Sequence, residues 1–131
     1  MYVAARSKNK YHEPMQGSPV GIGLDVVEIQ DVARARYKER VAEYFLTERE
    51  LSDVPAGARM TEHLASRFAL KEAVIKAFPE QLSPFDFYIE KEGLRPCIKF
   101  IEPTRDKAYS VCVSLTHTAR IAAAVALVYE R

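Results

Sequence analysis

The chain has 131 residues, of which 48% are hydrophobic, so it has room for one compact domain with its own core. Its formal net charge is +1, and no apolar run is long enough to span a bilayer, so we expect neither a nucleic-acid partner nor a membrane. The N-terminus lacks the apolar segment of a secretory signal, which makes the cytoplasm the expected location.

The first segments of the chain predict an extension followed by a strand. Residues 1–18 are polar and show no hydrophobic period, which predicts a flexible N-terminal extension ahead of a single domain over residues 19–131. Apolar side chains alternate with small or polar ones over residues 19–29, as in a β-strand. Gly21 and Gly23 within this strand would allow another backbone to approach closely.

Helical signals follow the strand. Residues 31–46 have a helical pattern, and Thr47 with Glu50 forms the sequence signature of a capping box that opens a short helix. The strongest signal is a helix from Ala58 to Phe78, ended by the proline that follows it.

The C-terminal half predicts strands. Four segments with strand composition occupy residues 85–92, 96–102, 108–115 and 120–130. A strand, then helices, then an antiparallel meander is the order of an α+β domain.

Two charged side chains occupy unusual positions on the long helix. Glu72 and Lys76 project between an apolar arc and a strip of alanines, one turn apart. A partly desolvated carboxylate there should be paired or bound to a cation. Periodicity alone does not distinguish this from an ordinary i,i+4 surface pair, which is common.

A second carboxylate lies inside the first strand. Asp25 falls on the face opposite Ile22, Leu24 and Val26, which would be a solvated face if those side chains filled the core. Asp25 and Glu72 together would provide two oxygen ligands, which suits Mg²⁺ held with substrate phosphates and water. The pattern by itself does not bring them together.

Four segments resemble the holo-acyl-carrier-protein synthase family of phosphopantetheinyl transferases. The family's Gly-x-Asp matches residues 21–25, and its Phe-x-x-Glu/Thr-x-x-Glu matches residues 45–50. Its signature helix, Arg-Phe/Trp-Ala-x-Lys-Glu-Ala-x-x-Lys-Ala, matches residues 67–77, and a late Ser-x-Ser/Thr-His matches residues 114–117. The similarity runs in the same order over about residues 19–131.

The resemblance implies a phosphopantetheinyl transferase fold, with an antiparallel sheet packed on a long helix. It also implies a homotrimer with active sites at subunit interfaces, each taking Asp25 from one chain and the signature helix from its neighbour. The implied reaction is Mg²⁺-dependent transfer of the 4′-phosphopantetheine arm of coenzyme A to a serine of an acyl carrier protein, with release of 3′,5′-ADP.

The resemblance also implies roles for individual residues. Asp25 and Glu72 would be the metal ligands, Lys76 would neutralise phosphate charge in the transition state, and Glu72 is a candidate general base. Four side chains would contact the coenzyme near its phosphates: Lys71, Lys76, His117 and Thr118.

The sequence departs from the family pattern in two places. A glycine-rich loop that many members carry after the signature helix is replaced by the shorter, glycine-free Pro79–Pro84, which predicts weaker coenzyme binding. An arginine that faces the carrier protein in many members is also absent, so Arg34, Arg36 or Arg40 would recognise the carrier. These departures leave open a non-catalytic paralogue that binds coenzyme A or a carrier protein, and a plain interaction module is the remaining alternative.

Overall fold

A computed structural model of the protein describes residues 17–35 and 38–131. Along these residues the helices and strands are, in order, β1 (Ser18–Glu28), α1 (Ile29–Arg34), α2 (Lys38–Ala42), α3 (Glu48–Leu51), α4 (Arg59–Ala77), β2 (Phe87–Glu92), β3 (Arg95–Phe100), α5 (Pro103–Ala108), β4 (Tyr109–His117) and β5 (Ile121–Glu130). The predicted α+β class is confirmed. The predicted extension lies outside the described residues except for its last two positions, Gly17 and Ser18, and remains a prediction, as does the 19–131 domain boundary.

The strands form two sheets. An antiparallel sheet has the order β1-β5-β4, and β2 pairs only with β3 in a separate hairpin. The prediction of one meander from the four C-terminal strands is therefore wrong. Helix α5, which the sequence analysis missed, separates β3 from β4; it begins with Pro103, whose fixed φ suits the first turn of a helix. No helix among the described residues is long and apolar enough to cross a membrane.

Two helical predictions have different outcomes. The segment 31–46 is not one helix, since α1 ends at Arg34 and Ala35 is extended, with φ −60° and ψ 120°. The capping box is confirmed: Thr47 Oγ1 accepts from the Glu50 amide at 3.3 Å, and Glu50 Oε1 accepts from the Thr47 amide at 2.9 Å.

Strand β1 packs tightly on α4, as its glycines predicted. A Cβ at Gly21 would lie 1.7 Å from the carbonyl oxygen of Ala77, and one at Gly23 would lie 2.0 Å from that of Ala73. These distances leave no room for a side chain, so at these two positions the strand touches the helix through its backbone. The alanine strip of α4 packs against β1 and β5, and the other side of α4 contributes Leu70 and Val74 to the core.

Because the glycine side of β1 faces the helix, its apolar side faces outwards. Ile22, Leu24 and Val26 are 68%, 62% and 55% exposed. Asp25 lies on the glycine side, and its side chain is only 15% exposed. The alternative in which Asp25 lies on a solvated face, with Ile22, Leu24 and Val26 in the core, is therefore wrong.

Candidate functional site

Asp25 and Lys76 meet where β1 crosses the C-terminal half of α4. Lys76 Nζ lies 2.9 Å from Asp25 Oδ1 and also donates to the carbonyl oxygen of Leu24 at 3.2 Å. The hydrogen bond that Lys76 donates to Asp25, and the charge of that carboxylate, raise the pKa of Lys76, and the charge of Glu72 adds a smaller contribution. One chain therefore supplies both Asp25 and the signature helix, which corrects the expectation that they come from different subunits.

The carboxylates at this end of α4 suit a metal that arrives with its substrate. No group of three or more His, Cys, Asp or Glu side chains within the described ranges could hold a metal ion. Mg²⁺ does not need such a cage, because one or two carboxylates with phosphates and water commonly complete its octahedron. Asp25 and Glu72 are the two carboxylates predicted for such a set, and their role as metal ligands remains a prediction.

Lys71 does not belong to this cluster. Its side chain is fully buried, and its ammonium group has three partners: Glu50 Oε1 at 2.7 Å, the carbonyl oxygen of Pro84 at 2.6 Å and that of Phe87 at 2.7 Å. An ammonium group has three donors, so none is left for a ligand. The expectation that Lys71 contacts the coenzyme is therefore corrected.

The partner of Lys71 is itself at the centre of a buried network. Besides Lys71, the Glu50 carboxylate accepts from the backbone amides of Thr47 and Ile89, each at 2.9 Å. Burial lowers the pKa of Lys71, and Glu50 opposes this shift. The network ties α3, α4 and β2 together.

An apolar groove of about 430 Å³ opens beside Asp25, between β1, α1 and α4. Phe45, Leu64 and Phe68 line it, while Glu28 and Asp31 add carboxylates. The groove is open to solvent next to the proposed reacting groups, so a protein side chain can enter it.

A larger cleft of about 1100 Å³ lies on the other side of α4, between that helix, the β2–β3 hairpin and β4. Five basic side chains line it, Arg49, Arg59, Arg67, Lys91 and Arg95, together with four carboxylates, Glu50, Asp53, Glu62 and Glu90. His117 lines it too, with Nε2 3.1 Å from Glu62 Oε1. A cleft of this composition suits a ligand with several phosphates.

Thr118 shapes the turn after β4. Its hydroxyl oxygen accepts from the amides of Arg120 at 3.1 Å and Ile121 at 3.2 Å. These bonds use both lone pairs, so the hydroxyl hydrogen remains able to donate to a phosphate oxygen.

Sequence reasoning missed part of this cleft. Arg59 and His63 precede the signature motif, which begins at Arg67, and the three residues are spaced by four on one face of α4. This spacing was the signal that could have found them.

The shortened loop after α4 is fixed to the domain. Leu82 is buried, the Ser83 amide donates to Asp86 Oδ2 at 2.7 Å, and the Tyr109 hydroxyl lies 3.4 Å from Glu80 Oε1. Residues 79–84 line neither the groove nor the cleft.

The α+β fold, the carboxylates beside an exposed lysine and the basic cleft define a class of enzyme that acts on phosphate-rich substrates. The sequence profile of the 4′-phosphopantetheinyl transferase superfamily matches residues 21–126, and the chain belongs to this family.

Relatives with known names and structures agree. The chain is 41% identical over 116 residues to the holo-[acyl-carrier-protein] synthase of Bacillus pumilus, and the matched region covers 82% of this chain and 93% of the relative. It resembles the crystal structure of a holo-(acyl-carrier-protein) synthase from Bacillus anthracis in complex with CoA (3′,5′-ADP), with TM-score 0.71, 27% identity, and coverage of 86% and 98% of the two chains. The Helicobacter pylori holo-[acyl-carrier-protein] synthase in complex with coenzyme A has TM-score 0.68, 29% identity, and coverage of 82% and 98%.

Proposed function

We propose that this protein transfers the 4′-phosphopantetheine arm of coenzyme A to a serine of an apo acyl carrier protein, in a Mg²⁺-dependent reaction that releases 3′,5′-ADP. The observation that carries the proposal is the ion pair of Lys76 with Asp25, which lines an open groove, with Glu72 one turn before Lys76 on α4. Family membership and the names of the relatives support the same activity.

In this reaction the serine oxygen bonds to the β-phosphorus of the coenzyme, and the bond between that phosphorus and the oxygen bridging to 3′,5′-ADP breaks. Lys76 stays protonated and stabilises negative charge on the phosphoryl oxygens. Glu72 is the candidate acceptor of the serine proton. Asp25 and Glu72 would hold Mg²⁺, which supplies charge neutralisation of the diphosphate when bound.

The basic cleft is the proposed binding site for the phosphates of the coenzyme that do not react. Arg59, Arg67 and His117 line it, and Thr118 follows directly at the turn. In the proposed set of coenzyme contacts, Arg59 and Arg67 take the place of Lys71, while His117 and Thr118 keep the roles that the resemblance implied.

A homotrimer fits two features of the surface. The exposed Ile22, Leu24 and Val26 lie beside the half-buried Leu127, Val125 and Ala123 of β5, which forms a continuous apolar face on the sheet. In addition, the cleft and the groove open on different sides of α4. His63 lines the cleft and Phe68 lines the groove, and five residues of an α-helix rotate by about 140° beyond one full turn. In an oligomer, the cleft of one subunit can meet the groove of its neighbour.

The trimer is tested by Leu24→Asp, with Ile101→Asp as control because Ile101 is similarly exposed, at 59%, outside the sheet. We expect light scattering to give a trimer mass for the wild type and the control, and a monomer with little transfer for Leu24→Asp. A wild-type monomer that is fully active would contradict the trimer while leaving the activity intact.

Carrier recognition is proposed to use the apolar groove together with the exposed Arg34 and Arg40 beside it. Arg36 lies outside the described residues. If these arginines attract an acidic carrier, reversing Arg34 and Arg40 to Glu should raise the KM for the carrier and not for the coenzyme. An unchanged carrier KM would place the docking surface elsewhere.

The activity itself is tested by incubating the protein with coenzyme A, Mg²⁺ and an apo carrier, and weighing the carrier by mass spectrometry. Asp25→Ala and Glu72→Ala should abolish the mass increase, while Glu102→Gln, an exposed carboxylate at the start of α5, should retain it. Coenzyme binding with no modified carrier would instead support a non-catalytic paralogue.

A further inference from the structure

Three basic side chains form a column in the cleft. Arg59, His63 and Arg67 follow one another at every fourth position of α4 and all line the cleft. Within the described part of the chain, none of the three has a carboxylate partner within ion-pair distance, whereas Arg49 pairs with Glu90 at 2.8 Å and His117 with Glu62 at 3.1 Å. A proton on His63 would place like charges at i,i+4 spacing to both arginines, which destabilises a helix. A bound anion would relieve the repulsion.

His63 occupies the middle of this column and is half-buried. The charged groups that act on it are Arg67 on its own helix, Lys91 on β2 and Asp53 in the segment after α3. The other titratable or charged groups that line the same cleft are Arg59 and Glu62 of α4, Arg49 and Glu50 of α3, Glu90 of β2, Arg95 of β3 and His117 of β4. Burial, followed by the charges of Arg67 and then Lys91, lowers the pKa of His63 from its usual 6.5, and Asp53 opposes this weakly. The imidazole is therefore mostly neutral near neutral pH in the empty cleft.

A phosphate bound in the cleft would favour the protonated form of the His63 imidazole over the neutral form. Its negative charge compensates Arg67 and Lys91, and the imidazolium form of His63 can donate a charge-assisted hydrogen bond to a phosphate oxygen. We propose that His63 is a phosphate ligand of this cleft and takes up one proton when a phosphate of the coenzyme binds. The inference rests on the proposed function, because it identifies the coenzyme as the phosphate donor.

Proton uptake on binding fixes the direction in which the affinity for the coenzyme changes with pH. Binding that favours the protonated imidazole becomes tighter as pH falls through the pKa of His63 in the complex, and levels off below its pKa in the free protein. Each unit by which the complex raises this pKa gives up to about a tenfold gain in affinity. The phosphate's own protonation near pH 6 acts in the opposite direction, but it affects the wild type and a His63 variant alike.

The direct test follows the imidazole of His63 by NMR in the free protein and in the protein saturated with coenzyme A. Its signal is assigned by comparison with His63→Gln. We expect the pKa of His63 to be higher in the complex, and the same shift to persist in His117→Gln. An unchanged pKa of His63 would overturn the proposal, and this measurement on the wild type does not depend on how any variant folds.

The second test is calorimetric titration with coenzyme A in two buffers of different ionisation enthalpy, at about pH 8 and about pH 6. The ratio of the wild-type affinity to the His63→Gln affinity should rise at least about threefold from the higher pH to the lower, with proton uptake only in the wild type. A constant ratio would overturn the role of His63 alone. Failure of coenzyme A to bind the wild type at either pH would remove the proposed function and this inference with it.

Discussion

Lys71 and Lys76 lie on the same helix, within one motif, and each bonds to a carboxylate and to backbone carbonyl oxygen, yet they differ in burial. Lys71 is fully buried and bonded to Glu50 and two carbonyl oxygens. The side chain of Lys76 is 52% exposed and is bonded to Asp25 at the edge of the groove. Their pKa values move in opposite directions, lowered by burial for Lys71 and raised by Asp25 for Lys76.

The difference teaches that position around the helix, rather than membership of a motif, decides what a lysine does. Five residues turn an α-helix by about 140° beyond a full turn, so the two side chains leave α4 on different sides. One side is covered by α3, β2 and the loop before β2, and the other faces β1 and solvent. The first lysine holds the fold and the second is available for chemistry.

The largest expected effect is on stability, from removing a partner of the buried pair. Glu50→Ala should lower the free energy of unfolding by about 3–5 kcal/mol, because it leaves the Lys71 ammonium buried without its carboxylate. Arg49→Met is the control, since Arg49 belongs to an exposed pair with Glu90 that should contribute no more than about 1 kcal/mol. Urea denaturation measures both. Equal losses would contradict the structural role of Lys71.

Next in size is the effect of Lys76 on transfer. Lys76→Ala should lower kcat/KM by about a hundredfold or more, as expected for loss of a group that stabilises transition-state charge. The urea midpoint should fall only slightly, because the ion pair that is lost is half-exposed on the lysine side. Lys76→Arg should recover part of the rate. A Lys76→Ala enzyme with wild-type kcat/KM would remove Lys76 from the mechanism.

A smaller effect is expected on the rates at which the amines of Lys71 and Lys76 react with a reagent from solution. An amine-acylating reagent should modify Lys76 at least about tenfold faster than Lys71, because reaction at Lys71 requires local opening of the core. Peptide mass spectrometry at short times measures the two rates. In Glu50→Ala the difference should shrink, and similar rates in the wild type would mean that Lys71 is not enclosed.

The smallest effect is on the pH profile. A lysine whose pKa is raised by folding keeps its charge, and the stability gained from it, below about pH 10.5 and loses them only as pH rises through the higher folded value. Transfer by the wild type and by Lys76→Arg should therefore change with pH in parallel from about pH 7 to about pH 9.5. A decline confined to the wild type would mean that Lys76 titrates in this range.

Local patterns predicted much of the fold correctly. The first strand, the capping box at Thr47 and the limits of α4 depend on neighbours in sequence, and the structure confirms them. The single meander and the unbroken helix over 31–46 were wrong, because strand partners and helix breaks depend on contacts between distant segments.

The candidate site divides in the same way. Asp25, Glu72 and Lys76 stood out because charged groups interrupt apolar patterns, and the structure places Asp25 and Lys76 in contact. Arg59 and His63 gave no such signal, since charged residues on an exposed helix face are ordinary. Their cleft exists only because the β2–β3 hairpin packs beside α4.

The sequence by itself determined the class of fold, the family and the residues that can carry the chemistry, because these depend on residue types at fixed spacings. Only the tertiary structure decided that Lys71 is enclosed, that the apolar side of β1 faces outwards, and that the groove and the cleft lie on different sides of α4. Each of these follows from which surfaces pack together. The glycines of β1 set that choice, since only a backbone without side chains could lie against the carbonyl oxygens of Ala73 and Ala77.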